Sequence, residues 1–195
     1  MKNIYIIVLS LTFITVLSQN KTVIKRSYEI SICGKPQKII LTESTNGDFE
    51  GNIETELTKK GKFGKSKRIL DKKSIKKETV EKLMFKLKEN GIETLINCDE
   101  DEECKKIGFL DGDYVGFNIS DGDINKKKSF QEIYPESQSK ELEKVELRRK
   151  AQVLLTIIDS DLNLKKLFFD LIKSFKNGMY CYWSGTTESC INKRK

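Results

Sequence analysis

The chain has 195 residues, of which 37% are hydrophobic and 33% are charged, and its formal net charge is +7. This balance is typical of a folded, well-solvated domain and excludes a disordered tail. The sequence contains no histidine, which excludes Ser-His-Asp and Cys-His catalysis and removes the commonest nitrogen ligand of zinc and copper. We therefore predict no catalytic residue, no metal ligand and no cofactor from motifs in this sequence.

The N-terminus has the three parts of a secretory signal peptide. Lys2 supplies a positive charge, residues 4–17 form a mostly apolar run, and Ser18 is a small residue suited to cleavage before Gln19. A membrane-spanning helix needs about 20 apolar residues, so the length of this run favours a cleaved signal peptide over an anchor. We predict that residues 1–18 are a signal peptide and that residues 19–195 form a single α+β domain, secreted or periplasmic.

Five cysteines fit this oxidising compartment. Cys98 and Cys104 are close in sequence, and so are Cys181 and Cys190, which makes these the simplest disulfide pairs. Cys33 is then left over, as a buried free thiol, as an intermolecular link, or as a replacement for one partner in this pairing. Because the loops that these pairs close are short, each disulfide is predicted to be a local cross-link. In the chain-entropy model, each would raise the free energy of unfolding by about 2 to 3 kcal/mol.

The first third of the chain has the period of β-strands. Apolar residues alternate with polar ones over residues 28–32 and again from Ile39 to Leu41, and the alternation is clearest over residues 49–57. The Asn46-Gly47 dipeptide suits a two-residue turn between the last two runs. These segments predict a three-stranded antiparallel meander. Residues 59–73, which are basic and contain glycine, predict a solvated loop.

After this loop, apolar residues recur at the spacing of an α-helix. Ser74 is a plausible cap for a helix that ends at Asn90-Gly91, and a second hairpin is expected from residues 115–119 and 130–134. Two C-terminal helices are expected to begin near Ser137 or Ser139 and after Ser160 or Asp161. The apolar positions of the last helix, which predict a core-facing side, are Leu164, Leu167, Phe168, Leu171, Ile172 and Phe175.

These elements predict an α+β fold in which a three-stranded antiparallel meander, a helix, a second β-hairpin and two C-terminal helices surround one core. Tyr180, Tyr182 and Trp183 form the best candidate binding surface, because tyrosine and tryptophan are enriched at recognition sites. The same aromatic residues could instead lie in a strand or loop that the Cys181 to Cys190 link holds against the core.

The leading functional interpretation is a non-catalytic exported protein that binds an unknown protein or ligand and is not embedded in the membrane after signal cleavage. One alternative is a polyanion-binding module acting through residues 65–77 and 126–128. Nucleic acid is not the expected polyanion, because 31 of the 36 basic residues are lysine and phosphate recognition favours arginine. A second alternative is a carboxylate-based or metal-assisted hydrolase, which requires two acids to converge in one pocket.

We expect the protein recovered from a secreting host to begin at Gln19, because the small residue at position 18 precedes the predicted cleavage point. N-terminal sequencing and intact mass measurement check this directly. A mature protein that still begins at Met1 would contradict both the signal peptide and the predicted compartment.

Overall fold

The structure, a computed structural model, describes residues 23–139 and 141–194. The predicted signal peptide lies outside the described residues. In the ranges that the structure describes, the eight strands are β1 (Ile24–Ser31), β2 (Gln37–Ser44), β3 (Phe49–Lys60), β4 (Ser66–Ser74), β5 (Tyr114–Asp121), β6 (Ile124–Gln131), β7 (Gly178–Ser184) and β8 (Thr187–Lys193). The four α-helices within the described residues are α1 (Lys77–Glu89), α2 (Glu136–Ser139), α3 (Glu146–Leu162) and α4 (Leu164–Ser174).

All eight strands belong to one curled antiparallel sheet that forms a half-barrel. The predicted meander with a separate second hairpin and two C-terminal helices around one core is therefore wrong. The strand β5 pairs with β1, with Ile30 opposite Phe117, so the second hairpin extends the meander instead of standing apart from it. The strands β4, β7 and β8 enlarge the same sheet at its other end.

The 12-residue strand β3 connects the two halves of the sheet. Along one edge it pairs with β4 from Asn52 to Lys60. It also pairs with β2 from Phe49 to Thr55 and with β7 from Thr58 to Lys60. Because a strand has only two edges, β2 and β7 must follow one another along the edge opposite β4.

The predicted loop over residues 59–73 is wrong, since it contains the end of β3, a short turn and nearly all of β4. Most side chains of β4 are exposed on both faces of the sheet. Such a strand has no apolar alternation that a sequence pattern could detect. It forms because its backbone pairs with nine consecutive residues of β3.

The hydrophobic core fills the concave side of the sheet, where α1 and α3 pack. The buried apolar residues that the sheet contributes include Tyr28, Ile30, Ile39, Leu41, Ile53, Val115, Phe117 and Phe130. The buried apolar residues of the two helices are Val80, Leu83, Met84, Leu87, Leu147, Ala151, Leu154, Leu155 and Ile158. Burial of such side chains from water is the main free-energy term that favours folding.

The three predicted helix starts are wrong. The helix expected to begin near Ser137 or Ser139 is α3, which begins at Glu146, and residues 136–139 form the separate short helix α2. Ser74 does not cap α1, because it still pairs with Asn52 in β4. Ser160 and Asp161 lie inside α3, and α4 is capped by Asn163, whose Oδ1 accepts a hydrogen bond of 3.1 Å from the amide of Lys166. The predicted stop at Asn90-Gly91 is confirmed, because α1 ends at Glu89.

The two predicted cysteine pairs are confirmed. Cys98 is joined to Cys104, and Cys181 is joined to Cys190 across the β7–β8 hairpin. Cys33 is free and buried. The cross-link on β7 and β8 joins directly opposed residues, so it secures the hairpin that α4 packs against.

We expect Gly51→Ala to lower the free energy of unfolding by about 1 to 3 kcal/mol through overpacking. A Cβ atom at Gly51 would lie 2.8 Å from Cγ2 of Val80 and 3.1 Å from the carbonyl oxygen of Ile40. Urea denaturation followed by circular dichroism measures the change. The matched control is Gly108→Ala, where a Cβ atom meets nothing within 4 Å. Equal stability of the two variants would contradict the packing of α1 on β3.

Candidate functional site

The predicted aromatic surface does not lie on one face of the sheet. Tyr180 is only 2% exposed, its hydroxyl donates to the carbonyl of Lys176 at 2.7 Å, and its ring stacks on Phe175. Tyr182 is half-buried and meets Phe168 edge to face at 5.8 Å between ring centroids. Of the three predicted residues, Trp183 alone is exposed.

The two basic segments of the polyanion alternative lie on strands at different ends of the sheet. Residues 66–74 form β4, and residues 126–128 belong to β6, with β3, β2, β1 and β5 between them. Several of these cations already have partners. Lys72 pairs with Glu54, and Lys128 pairs with Glu100. The two segments therefore form no common patch, and the polyanion alternative loses its main support.

Helix α4 carries an apolar surface that the rest of the described chain leaves partly open. The ring of Phe169 is 57% exposed, Phe168 is half-buried, and Ile172 lies beside them. Ile191 of β8 continues this surface, and the resulting groove has a volume of about 660 Å³. The residues that line this α4 groove are Lys35, Lys165, Lys166, Phe168, Phe169, Ile172 and Ile191.

Three lysines give the α4 groove a positive rim. Lys166 pairs with Asp170 at 2.7 Å. Lys35 and Lys165 have no ion-pair partner among the described residues, so their charges are available to a ligand. An apolar floor with a cationic rim matches a molecule that has an apolar body and an acidic end.

A second concavity, the Gln37 cavity, lies on the other side of α4 and has a volume of about 330 Å³. Its polar lining includes Gln37 and Thr55, each 3% exposed. The Nε2 atom of Gln37 donates to the carbonyl of Leu164 at 3.2 Å, but its Oε1 atom is buried without a hydrogen-bond partner in the described part of the chain. Leaving such an acceptor unsatisfied costs about 1 to 3 kcal/mol.

Two acids converge on Cys33, as the hydrolase alternative requires. The sulfur of Cys33 and one carboxylate oxygen from each of Asp113 and Glu132 lie within 4.8 Å of one another. Tyr134 donates to Glu132 at 2.7 Å, and Ser184 donates to Asp113 at 2.6 Å. The second oxygen of Glu132, Oε1, accepts from the backbone amide of Asp113, so both oxygens of Glu132 and one oxygen of Asp113 are occupied by donors of the protein.

Thiolate and carboxylate are both metal ligands, but the thiol of Cys33 keeps its proton at neutral pH. Burial raises the pKa of Cys33 to about 11, and the charges of Glu132 and Asp113 act in the same direction. A protonated thiol is a weak nucleophile and a weak ligand. The arrangement therefore supports a structural role for Cys33 at neutral pH.

Sequence reasoning missed most of these residues. Phe168 was expected in the core but is half-buried, whereas Ile172 is buried as expected. Neither Gln37 nor Thr55 was predicted to line a site, although Thr55 was placed on the same face of its strand as Ile53. A signal for the latter two exists, because both share the period-two register of the buried residues Ile39 and Ile53 on their strands. A polar residue at an inward position marks either a hydrogen-bonded core group or a site.

No helix in the described ranges is both long and apolar enough to cross a membrane. No protein-family model, curated protein or solved structure matches the chain. The assignment of function therefore depends on the geometry of the sites.

We expect one thiol per chain to react with Ellman's reagent after denaturation without reductant, and almost none in the native protein at pH 7. The reason is that four cysteines are in disulfides and Cys33 is buried with a raised pKa. Reduction of the denatured protein should release all five thiols. Rapid reaction of the native protein, or more than one thiol before reduction, would contradict this assignment.

Proposed function

We propose that this chain is an exported, non-catalytic binding protein whose ligand is an anionic amphiphile of the fatty-acid class. The observation that carries the proposal is the partly open apolar side of α4, bordered by two lysines, Lys35 and Lys165, that have no acidic partner among the described residues. Phe168, Phe169 and Ile172 supply the surface for an alkyl chain, and Lys35 and Lys165 supply the charges for its carboxylate.

The size and exposure of the α4 groove support a small-molecule ligand. Its volume of about 660 Å³ is within the range of about 300 to 1,000 Å³ that is typical of ligand pockets. Phe169 is exposed beside the half-buried Phe168, and the Nζ atom of Lys173 lies 4.3 Å from the centroid of its ring. Contiguous apolar surface of this kind marks binding sites on folded proteins.

The charge at the rim favours an acid over a neutral or cationic head group. Two unpaired ammonium groups beside an apolar floor attract a carboxylate, while they repel a quaternary ammonium group. The attraction is modest because both lysines are at the surface. Most of the affinity should therefore come from burial of the alkyl chain, and the lysines should orient it.

The predicted export of the chain and the chemistry of its side chains both support a binding role. Two disulfides and a signal-like N-terminus support export. The absence of histidine from the sequence and the protonated state of Cys33 at neutral pH support a non-catalytic protein. The convergence of Asp113 and Glu132 favours the hydrolase alternative only if the cluster has turnover, which a screen with ester and peptide substrates can measure.

We expect dodecanoate, titrated below its micellar concentration by calorimetry, to bind with one site per chain and at least about tenfold more tightly than dodecyltrimethylammonium. Phe169→Ala should weaken dodecanoate binding about tenfold, since it removes apolar area worth about 25 cal/mol per Å².

Changing Lys35 and Lys165 together to glutamine should weaken dodecanoate binding several-fold and should reduce the preference for dodecanoate over dodecyltrimethylammonium.

The matched controls are Phe85→Ala, at an equally exposed phenylalanine on α1, and Lys106→Gln, at an exposed lysine far along the chain from α4. Both should bind dodecanoate as the wild type does. Equal effects of Phe169→Ala and Phe85→Ala would refute the α4 groove as the site. Equal affinity for the cationic amphiphile would refute the acidic ligand class.

A further inference from the structure

The hairpin between β3 and β4 ends in a turn that carries an exposed aromatic ring. Pairing of the two strands extends to Lys60 opposite Ser66, so residues 61–65 form the turn. Phe63, in the middle of this turn, is 97% exposed. A phenylalanine stabilises a fold by removing its ring from water. Phe63 makes almost no such contribution, so folding does not explain an aromatic residue at this position.

The backbone at Phe63 is also unfavourable for a phenylalanine. Its φ of 57° and ψ of 39° lie in the left-handed region, which favours glycine because a Cβ atom there approaches the following carbonyl oxygen. Bulky residues are uncommon in this region, and such residues cluster at functional sites. Position 63 therefore carries a side chain that costs stability in the turn and gains no packing.

The basic residues of this hairpin are not balanced by acids. Between Glu56 and Asp71 the charged residues are Lys59, Lys60, Lys62, Lys65, Lys67 and Arg68. Lys60 pairs with Glu188, and Arg68 pairs with Glu56. Lys62, Lys65 and Lys67 are exposed and have no ion-pair partner within residues 23–139 and 141–194. Their three charges are therefore available to an anionic partner.

The register of the hairpin brings two of its cations together. Lys59 of β3 lies directly opposite Lys67 of β4, and like charges at opposed positions destabilise an antiparallel pair. Because neighbouring residues of a strand point to opposite faces, Lys60 is on the other face from Lys59 and Lys67. Basic side chains therefore stand on both faces of the hairpin behind Phe63. An anionic partner would relieve the repulsion between them.

The start of β7 adds a second apolar side chain at the same end of the sheet. Met179 lies opposite Lys60 and is 42% exposed. Residues 171–187 contain no acid. Glu188, the acid that reaches this end from β8, is neutralised by Lys60 at 2.6 Å. The surface around the turn is therefore apolar at its centre and cationic around it.

We propose that the β3–β4 tip (residues 60–67) docks on the surface of a lipid bilayer that contains anionic lipids. Phe63 enters the boundary between head groups and acyl chains, and Lys62, Lys65 and Lys67 contact the lipid phosphates. Apolar insertion and attraction to anionic lipids add together in interfacial binding, and the combination gives reversible peripheral attachment. The tip is separate from the α4 groove, so the inference does not depend on the amphiphile proposal.

The exposed ring favours a bilayer over a soluble polyanion such as heparin. Heparin could satisfy the three lysines, but it offers no apolar medium for Phe63. A bilayer offers both an anionic surface and an acyl-chain region beneath it. The two kinds of partner therefore differ in whether binding depends on the ring.

The test is co-sedimentation of the purified protein with vesicles of phosphatidylcholine that contain about 30% phosphatidylglycerol, in about 0.1 M NaCl. The expected result is partitioning at least about tenfold stronger than into vesicles of phosphatidylcholine alone. Raising the salt to about 0.5 M should remove most of the binding, because salt screens exposed charges. No partitioning into the anionic vesicles, or equal partitioning into both kinds, would overturn the proposal.

Two variants locate the contact. Phe63→Ala should weaken partitioning about five- to tenfold, since it removes the inserted ring. Changing Lys62, Lys65 and Lys67 together to glutamine should weaken it about 100-fold, because each lysine near an anionic surface strengthens binding about fivefold. Circular dichroism checks that both variants are folded. Unchanged partitioning of either folded variant would overturn the assignment to the tip.

The matched controls change the same residue types elsewhere. Leu110→Ala removes a fully exposed apolar side chain from another loop. Changing residues 126–128, all lysine, to glutamine removes three charges from β6, at a different end of the sheet. Both controls should partition within about twofold of the wild type. An equal loss in the β6 variant would show that net charge alone drives binding and would overturn the tip as the site.

Insertion of the ring has a spectroscopic signature. Trp183 is the single tryptophan of the chain, so the double variant Phe63→Trp and Trp183→Phe carries one indole at the tip. On anionic vesicles its emission should shift to shorter wavelength and be quenched by brominated lipids. Unchanged emission of the vesicle-bound variant would overturn the insertion of residue 63.

Exchanging the probes separates this proposal from its rivals. Phe169→Ala should leave vesicle binding unchanged, and Phe63→Ala should leave dodecanoate affinity unchanged. Loss of vesicle binding in Phe169→Ala but not in Phe63→Ala would move the lipid contact to the α4 groove and overturn the tip. Heparin binding that requires the three lysines, together with full vesicle binding by Phe63→Ala, would show a polyanion site and overturn the bilayer as the partner.

Discussion

The pairing of β3 with three other strands is the constraint on which the rest of the structure depends. Its two edges bring together β2 and β4, which are its neighbours in the chain, and β7, which comes from the C-terminal part of the chain. This pairing fixes the position of the β7–β8 hairpin, against which α4 packs. It also aligns Gln37, Thr55 and Asp71, which are far apart in sequence. The candidate sites are therefore consequences of strand register.

Helix α4 has more apolar surface than the sheet can cover. Leu164 and Ile172 are buried, but the other apolar positions predicted for the core, among them Phe168 and Leu171, are only half-buried. Phe169 widens the apolar side further. One side of the helix meets the sheet, and the flanks on either side border the two concavities. Some apolar side chains of α4 therefore belong to the core, while others form the walls of the two concavities.

Local features of the sequence predicted a large part of the secondary structure. The alternation over residues 28–57, the Asn46-Gly47 turn and the apolar spacing of α1 all lie where the patterns indicated, since each depends on neighbouring residues. The arrangement of strands was not predictable in this way. The pairing of β1 with β5 joins residues about 90 positions apart, and β4 is held by backbone hydrogen bonds that carry no hydropathy signal.

The candidate sites were harder to predict than the strands. The aromatic segment was identified as a surface, but alternation along β7 directs neighbouring rings to opposite faces, so Tyr180 and Trp183 are in different environments. The spacing of α4 predicted burial because periodicity identifies an apolar side without showing how much of it another element covers. Gln37 and Thr55 could have been noticed as polar residues in phase with buried ones, although their convergence with Asp71 required the register.

The half-barrel remains open, which leaves the outer edges of β4, β6 and β8 without a neighbouring strand among the described residues. Unpaired edges invite a second molecule to add its own strand and begin aggregation. Here Lys67, Arg68 and Lys72 line β4, and residues 126–128, all lysine, lie on β6. A contact between the β4 edges or between the β6 edges of two copies would oppose like charges, so these basic residues disfavour self-association through those two strands.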